Sequence, residues 1–309
     1  MNSDPKKSLL RFCESETQRR RTASWDAVVA RGLGFVAAAA GLTLVWLVVV
    51  MVMEAMPALL AGSVGLATSN PESSRWSLVS LGWTSIKVVA TALPVAIPIA
   101  IPAALCMSQV APAHGRVWMK QTLELMQGVP MVILSFLALW VLAPAFQRVF
   151  GAPLPLNGLV AGVVVGLAIV PLMFSMAEEA LSAVPREWVR SALALGATPW
   201  QAVHRVVWPA AASEVGAGVL LGMSRALGET MTVMMMGGNA THPASSLWDP
   251  VRAVPVDVAL ELAGTASGGQ RHSGLFLMGL VLLGLCLGPR ALVRWIRSRN
   301  AWRRGEVVL

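Results

Sequence analysis

Charge is scarce in this sequence. Only 13% of its 309 residues are Asp, Glu, Lys or Arg, against 56% hydrophobic, and the mean hydropathy is +0.66. Soluble chains carry about a quarter of their residues as charge. The shortage argues against an ordinary soluble domain and turns the first question into how often the chain crosses a bilayer. Cysteine is sparse too. Cys13, Cys106 and Cys286 lie far apart without a CxxC pair, and His114, His204, His242 and His272 show no HxxxH spacing. Neither a disulfide framework nor a zinc site is indicated, and no cofactor is expected. The four lysines, Lys6, Lys7, Lys87 and Lys120, never follow a glycine. A Walker A loop needs Gly-Lys before Ser or Thr, so the chain cannot by itself use ATP in the P-loop way.

What is present is apolar sequence in six runs. A hydrocarbon core takes about 20 apolar residues per helix. Runs of that order extend from Leu33 to Met53, Leu78 to Met107, Thr122 to Phe146, Leu156 to Ala177, Ala210 to Met236 and Ser273 to Pro289. The first is too long for the apolar region of a signal peptide and reads as a retained anchor. The net charge of +8 does not point to nucleic acid, because the basic residues cluster just outside the apolar runs. With the N-terminus inside, 18 of the 24 Lys and Arg residues fall on inside segments, while Arg75, Arg148, Arg252 and Arg271 fall outside. That bias predicts an all-α membrane protein of six spans with both termini cytoplasmic. The expected layout is a tail over 1–31, a first helix and outer loop over 32–77, a five-helix core over 78–297 and a tail over 298–309.

Between the fourth and fifth runs, residues 178–209 predict two short helices on the inner face. Pro185 suits a first helical position, and Glu187, Arg190 and Ala192 continue the helix. Gly196 fits a left-handed stop, and after Ala197 the side chain of Thr198 can cap a second helix opened by Pro199. Pro209 marks the entry to the fifth run. A helix, a glycine elbow and a helix can dock in a groove of a soluble partner, or can be a solvated loop; the spacing leaves both open.

The fifth run contains Arg225 and Glu229. An unpaired charge at mid-membrane costs about 3 kcal/mol or more, so both should face protein or water. Four residues apart, they share a helix face and can touch. Two readings stand: a neutral buried pair that fixes packing, or a guanidinium for the paired oxygens of an anion, held by the glutamate. Lys87 in the second run can add positive potential at an entrance or snorkel outward. Pro94, Pro98 and Pro102, with Gly128 and Pro130, predict bent helices around a cavity. Met231, Met234, Met235 and Met236 read as pliable packing or a gate lining. The segment from Ala240 to His272 reads as a polar loop or a rim that receives a binding protein.

The 178–209 loop resembles the EAA loop of ABC-importer permeases: Ala192, Gly196 and Pro209 stand at the family's positions, while Arg190 replaces the glutamate of its triplet. Glu187, one turn earlier, offers that charge from nearly the same face. "EEALSAVP" (178–185), "ALALGATPWQ" (192–201) and "RALGETM" (225–231), followed by Gly238-Asn239, are similar to phosphate-importer permeases of the PstC type. The resemblance runs over roughly residues 80–297. It implies the MetI-like permease fold, a type I importer, and a permease subunit of the bacterial inner membrane rather than an enzyme. It implies a separate dimer of ATPase subunits docked on the 186–200 region and a second, PstA-like permease. It also implies a periplasmic phosphate-binding protein, and inorganic phosphate passing near Arg225 and Glu229, with Ser224 and Thr230 beside them. Another oxyanion, molybdate or sulfate, or a stand-alone secondary transporter, are the alternatives.

Overall fold

The computed structural model describes residues 5–60, 78–240, 245–266 and 268–304. Arg75 and His242 lie outside them. The described elements are helical: α1 (Pro5–Leu60), α2 (Leu78–Gln109), α3 (Ala113–Gly128), α4 (Met131–Phe150), α5 (Gly158–Ser182), α6 (Arg186–Ala194), α7 (Pro199–Ala202), α8 (Trp208–Leu227), α9 (Met231–Met236), α10 (Val254–Glu261) and α11 (Gln270–Arg304). Six stretches are long and apolar enough to cross a membrane: Val29–Leu60, Leu81–Gln109, Met131–Phe150, Gly158–Ser182, Pro199–Leu227 and Arg271–Trp295. Residues up to Met53 form one unit and Glu54 onward a second. The first is a helix with Leu33, Phe35, Leu42 and Trp46 exposed, as expected of a helix that meets lipid.

In the second unit α5 is the hub, touching α2, α3, α4, α8 and α9. Its most extensive partner is α2, and the reason is visible in the residues. Ala92, Ala96, Ala100 and Ala104 repeat every fourth position on α2 and are fully buried. Gly162 and Gly166, four apart on α5, face that helix, and a Cβ at Gly166 would lie 2.6 Å from the Ala92 carbonyl oxygen. Lipid tails are as apolar as leucine, so helices in a membrane associate through close packing, and small residues permit that approach. Val165, Ile169, Met173 and Phe174 extend the same core toward Val207, Ala211 and Val215. α2 stays helical through Pro94, Pro98 and Pro102.

Two runs are broken where the sequence predicts single helices. The third divides into α3 and α4 at Val129 and Pro130. Proline lacks the donor an inner turn needs and pushes the preceding residue toward extended backbone; Val129 takes φ −71° and ψ 123°. The fifth divides after Leu227. At its other end it reaches back further than expected. α7, a π turn at Val203–Val207 and α8 are contiguous, and Pro209 lies inside the first turn of α8 rather than at its entrance. The Trp208 N–H reaches back to the Val203 carbonyl, a wide turn that relieves the clash between a proline ring and the carbonyl four residues earlier.

The ends of α5 define the ends of the bundle. At its N-terminus Asn157 Oδ1 accepts from Val160 N at 2.9 Å, and the carbonyls of Asp249 and Leu247 accept from Gly158 N and Leu159 N. Its C-terminus leads through Pro185 into α6. Twenty-five residues at 1.5 Å each separate these ends by roughly 37 Å, enough to span a hydrocarbon core of about 30 Å.

Candidate functional site

Arg225 lies in the last turn of α8, not in mid-helix. Gly228, with poor helix propensity, follows Leu227, and the N–H groups of Gly228 and Glu229 turn back to the Arg225 and Ala226 carbonyls at 3.2 and 3.3 Å. A cation at a helix C-terminus complements the exposed carbonyls. The Arg225 side chain is exposed in this chain, whereas Ser224 and Ala226 on either side are buried. α8 can lie this close to α5 because Gly218 and Gly222 face Met176 and Met173; a Cβ at Gly222 would come 2.7 Å from Met173 Cγ.

Arg225 and Glu229 do not form the expected pair. Among the described residues no ion pair joins them. The break in the helix removes the continuous turn that would have stacked the two side chains. The carboxylate instead points forward into α9: Glu229 Oε1 accepts from Thr232 Oγ1 at 3.1 Å and from Thr232 N at 3.5 Å. Thr232 Oγ1 accepts in turn from Ser135 Oγ of α4 at 3.1 Å, and both hydroxyl residues are fully buried. Ser224, expected beside the route, is turned elsewhere: its hydroxyl donates to the Cys286 carbonyl of α11 at 2.6 Å. Thr230 remains half-buried in the break, its Oγ1 3.4 Å from the Gly228 carbonyl. Arg225 and Glu229 therefore flank one discontinuity, the guanidinium open and the carboxylate anchored.

Lys87 belongs to a different place. Its Nζ donates to the Ser245 carbonyl at 3.4 Å and lies 5.9 Å from the Trp83 ring centre. It therefore leans outward to the loop at the N-terminal end of α5. In that loop Asp249 Oδ2 accepts from Ser246 N, Ser245 N and Ser245 Oγ at 2.7 to 2.9 Å. Those bonds, the one from Ser246 first, hold its carboxyl below the usual range.

The segment read from sequence as a polar loop is partly a buried charge network. Arg252 Nε lies 3.0 Å from Asp257 Oδ1 and its Nη1 3.2 Å from Glu261 Oε1, while Arg271 pairs with the other oxygen of Glu261. Asp257 Oδ2 is buried without a hydrogen bond. Burial pushes this carboxyl up to about 6, against the pull of Arg252. The turn at Gly238 (φ 79°) and Asn239 (φ 52°) brings Gly237 to Val251, whose N–H donates to the Gly237 carbonyl at 2.6 Å.

The 186–202 region has the local geometry its residues predict, with one shift. α6 starts at Arg186, so Pro185 is its N-cap rather than its first residue. Gly196 has φ +87°, a conformation glycine adopts without strain. Thr198 and Gln201 form a reciprocal capping box at 3.3 and 2.9 Å. No residue of α6 is buried, and Trp188, Leu193, Leu195 and Trp200 are exposed apolar side chains along this segment. Glu187 and Arg190 are both exposed; Ala192 and Ala197 are half-buried.

Sequence reasoning missed three features. The repeat Ala92-Ala96-Ala100-Ala104 and the pair Gly162-Gly166 were readable as a small-residue packing seam. Gly128 and Pro130 predicted a bend where the helix breaks outright, and Gly228 carried an unread signal for the second break. The Ser135–Thr232 contact left no local signal, because its partners are 97 residues apart.

Comparison with known proteins agrees with this architecture. The family described as binding-protein-dependent transport system inner membrane component matches residues 96–301. A probable ABC transporter permease protein YqgH of Bacillus subtilis is 30% identical over 75% of each chain. The phosphate transport system permease protein PstC of Xylella fastidiosa is 28% identical over 77% of this chain and 78% of its own. The PstC of Pasteurella multocida is 32% identical over 62% of this chain and 65% of its own. Among solved structures, the MetNI methionine ABC transporter, in inward-facing conformations, superposes with a TM-score of 0.55 at 16% identity. That match covers 71% of this chain and 96% of that one, and it speaks to the fold. The chain belongs to the family of binding-protein-dependent transport system inner membrane components, and its fold is that of a MetI-like permease.

Proposed function

We propose that this chain is the permease subunit of an ATP-driven importer for inorganic phosphate. The observation that carries the reading is the open Arg225 guanidinium at the α8–α9 discontinuity, which an anchored Glu229 also flanks. A guanidinium matches the paired oxygens of phosphate, and an open one tolerated in an apolar helix needs water, an anion or a partner surface to face. Similarity to phosphate permeases named PstC supports phosphate as the cargo. In this reading the chain pairs with a second, PstA-like permease, and the anion passes between them. A periplasmic phosphate-binding protein delivers it. Two ATPase subunits grip the 186–200 segments, where Trp188, Leu193, Leu195 and Trp200 are exposed, and their closure turns the pathway outward. The chain lies in the inner membrane with both termini cytoplasmic, which the charge bias supports. Lys87 and the 245–249 loop stand at the delivery end.

Uptake of radiolabelled phosphate by cells carrying Arg225→Gln tests the reading. Hydrogen bonds to a charged group are worth about 1.5–3 kcal/mol, so uptake should fall roughly ten- to hundred-fold while the complex still assembles. Normal uptake would remove Arg225 from the route. Competition by sulfate or molybdate at equal concentration should leave phosphate uptake unchanged; inhibition would assign the route to another oxyanion.

A further inference from the structure

A cavity of about 400 Å³ opens at the α6 end of the bundle, between the last turn of α2, the start of α3, the C-terminus of α5, α6 and the π turn. Its wall carries three arginines, Arg116, Arg186 and Arg190, with the polar side chains of Ser108, Gln109 and Ser182, and no carboxylate. Arg116 is held in place, because its Nε donates to the Met107 carbonyl at 3.2 Å and its Nη2 to the Ser108 carbonyl at 2.7 Å. Arg186 and Arg190 stand four apart on α6, a spacing at which like charges repel. Among the described residues no ion pair engages any of the three. Glu178, the nearby acid of α5, is hydrogen-bonded by Ser182 Oγ at 2.8 Å rather than by an arginine.

Three cations around one polar cavity with no carboxylate in its wall focus a positive potential there, which draws anions from solution. Guanidinium groups favour tetrahedral oxyanions, which accept paired donors. The volume exceeds that of one phosphate and leaves room for water or for the rest of a headgroup. We propose that this cavity is a second oxyanion site that binds a phosphate group, either as inorganic phosphate or on the headgroup of an anionic lipid. Occupancy steadies α6, none of whose residues is buried. The site is remote from Arg225: Val207 lines the cavity, and the eighteen residues from there to Arg225 rise roughly 27 Å along α8. Binding does not depend on the transport reading; only its consequence for coupling does.

The test uses the full chain purified in neutral detergent, with Arg225→Gln as background to remove the other anion contact. One arm titrates inorganic phosphate by calorimetry. The other compares retention of phosphatidylglycerol and phosphatidylcholine from mixed bilayer discs by native mass spectrometry. Binding should persist in the Arg225→Gln background and weaken at least about ten-fold when Arg186→Gln and Arg190→Gln are added. Arg190→Gln alone serves if the double change does not fold. A response confined to phosphate identifies a free anion, and one confined to phosphatidylglycerol identifies a lipid; either supports the site. The proposal is overturned if neither arm shows binding or if binding survives the arginine changes. It is also overturned if the changes leave anion binding absent throughout but abolish co-purification of an ATPase, which would assign the cavity to a protein carboxylate. Cavity binding with normal phosphate uptake by Arg225→Gln would sink the transport route and leave this site standing.

Discussion

Glu229 owes its position to two hydroxyls that never reach the surface. Thr232 donates to its carboxylate and accepts from Ser135, and both are fully buried. Thr232→Val keeps the shape and removes the donor. The lost bond is worth about 1 kcal/mol, roughly a five-fold effect. Phosphate uptake should therefore fall several-fold at unchanged expression, while Thr232→Ser should retain it; equal loss in both would show that packing, not the hydroxyl, was at stake. The charge itself was readable in the sequence, since an arginine and a glutamate in an apolar run are conspicuous. Its pairing was not, because spacing assumes an unbroken helix and Gly228 ends it. Asp257 offers a second check at this scale. Its carboxyl is raised to about 6 by burial, with Arg252, Glu261 and Arg271 as the charges around it. A raised pKa means the folded state prefers the protonated form. That stabilising contribution is full below about 4, the unfolded value, and is lost as pH rises through 6. Melting in detergent should show the wild-type chain gaining stability from pH 7 to pH 4.5 relative to Asp257→Asn. Parallel pH curves would mean that the carboxyl does not titrate there.

Between α2 and α5 the packing depends on what is missing from the side chains. Gly166 has the Ala92 carbonyl oxygen 2.6 Å and the Ala92 Cα 3.2 Å from where a Cβ would stand. Both neighbours are backbone, so neither can rotate away. Gly166→Ala must part the two helices, at about 1–3 kcal/mol for overpacking. Gly216→Ala is the control, since nothing lies within 4 Å of its Cβ position. It should be neutral or stabilising by up to about 1 kcal/mol through helix propensity. A lower melting temperature for the first and not for the second is the expected result; equal effects would mean that glycine flexibility, not close approach, matters at 166. At this scale the sequence was legible in the segment from α6 to α7. The left-handed Gly196 and the Thr198 cap are local requirements, satisfied by residues within a few positions. The breaks at Val129-Pro130 and after Leu227 were harder to see, because an apolar run keeps its composition whether it is one helix or two.

Six membrane-crossing helices were legible because lipid imposes a composition, and composition survives any arrangement of the helices. What composition cannot carry is which run is central. α5 holds that place through its small residues and not through greater hydrophobicity. The same helix fixes the orientation test. Its N-terminal end is bound to the loop around Leu247 and Asp249, and its C-terminal end leads into α6 and the elbow at Leu195 and Gly196. The roughly 37 Å between them places the two loops on opposite sides of a bilayer. The charge bias predicts that the α6 side faces inside, since Arg116, Lys120, Arg186, Arg190 and Arg205 all belong to it. In a chain with Cys13, Cys106 and Cys286 changed to serine, Leu247→Cys should react with a membrane-impermeant maleimide on the outside of the inner membrane. Leu195→Cys, at 90% exposure, should react only once the inner face is opened in inverted vesicles. The reverse pattern would invert the topology and move the arginine-lined cavity to the outer face. Labelling of both from one side would mean that α5 does not span the bilayer, and the anion route proposed at Arg225 would lose its direction with it.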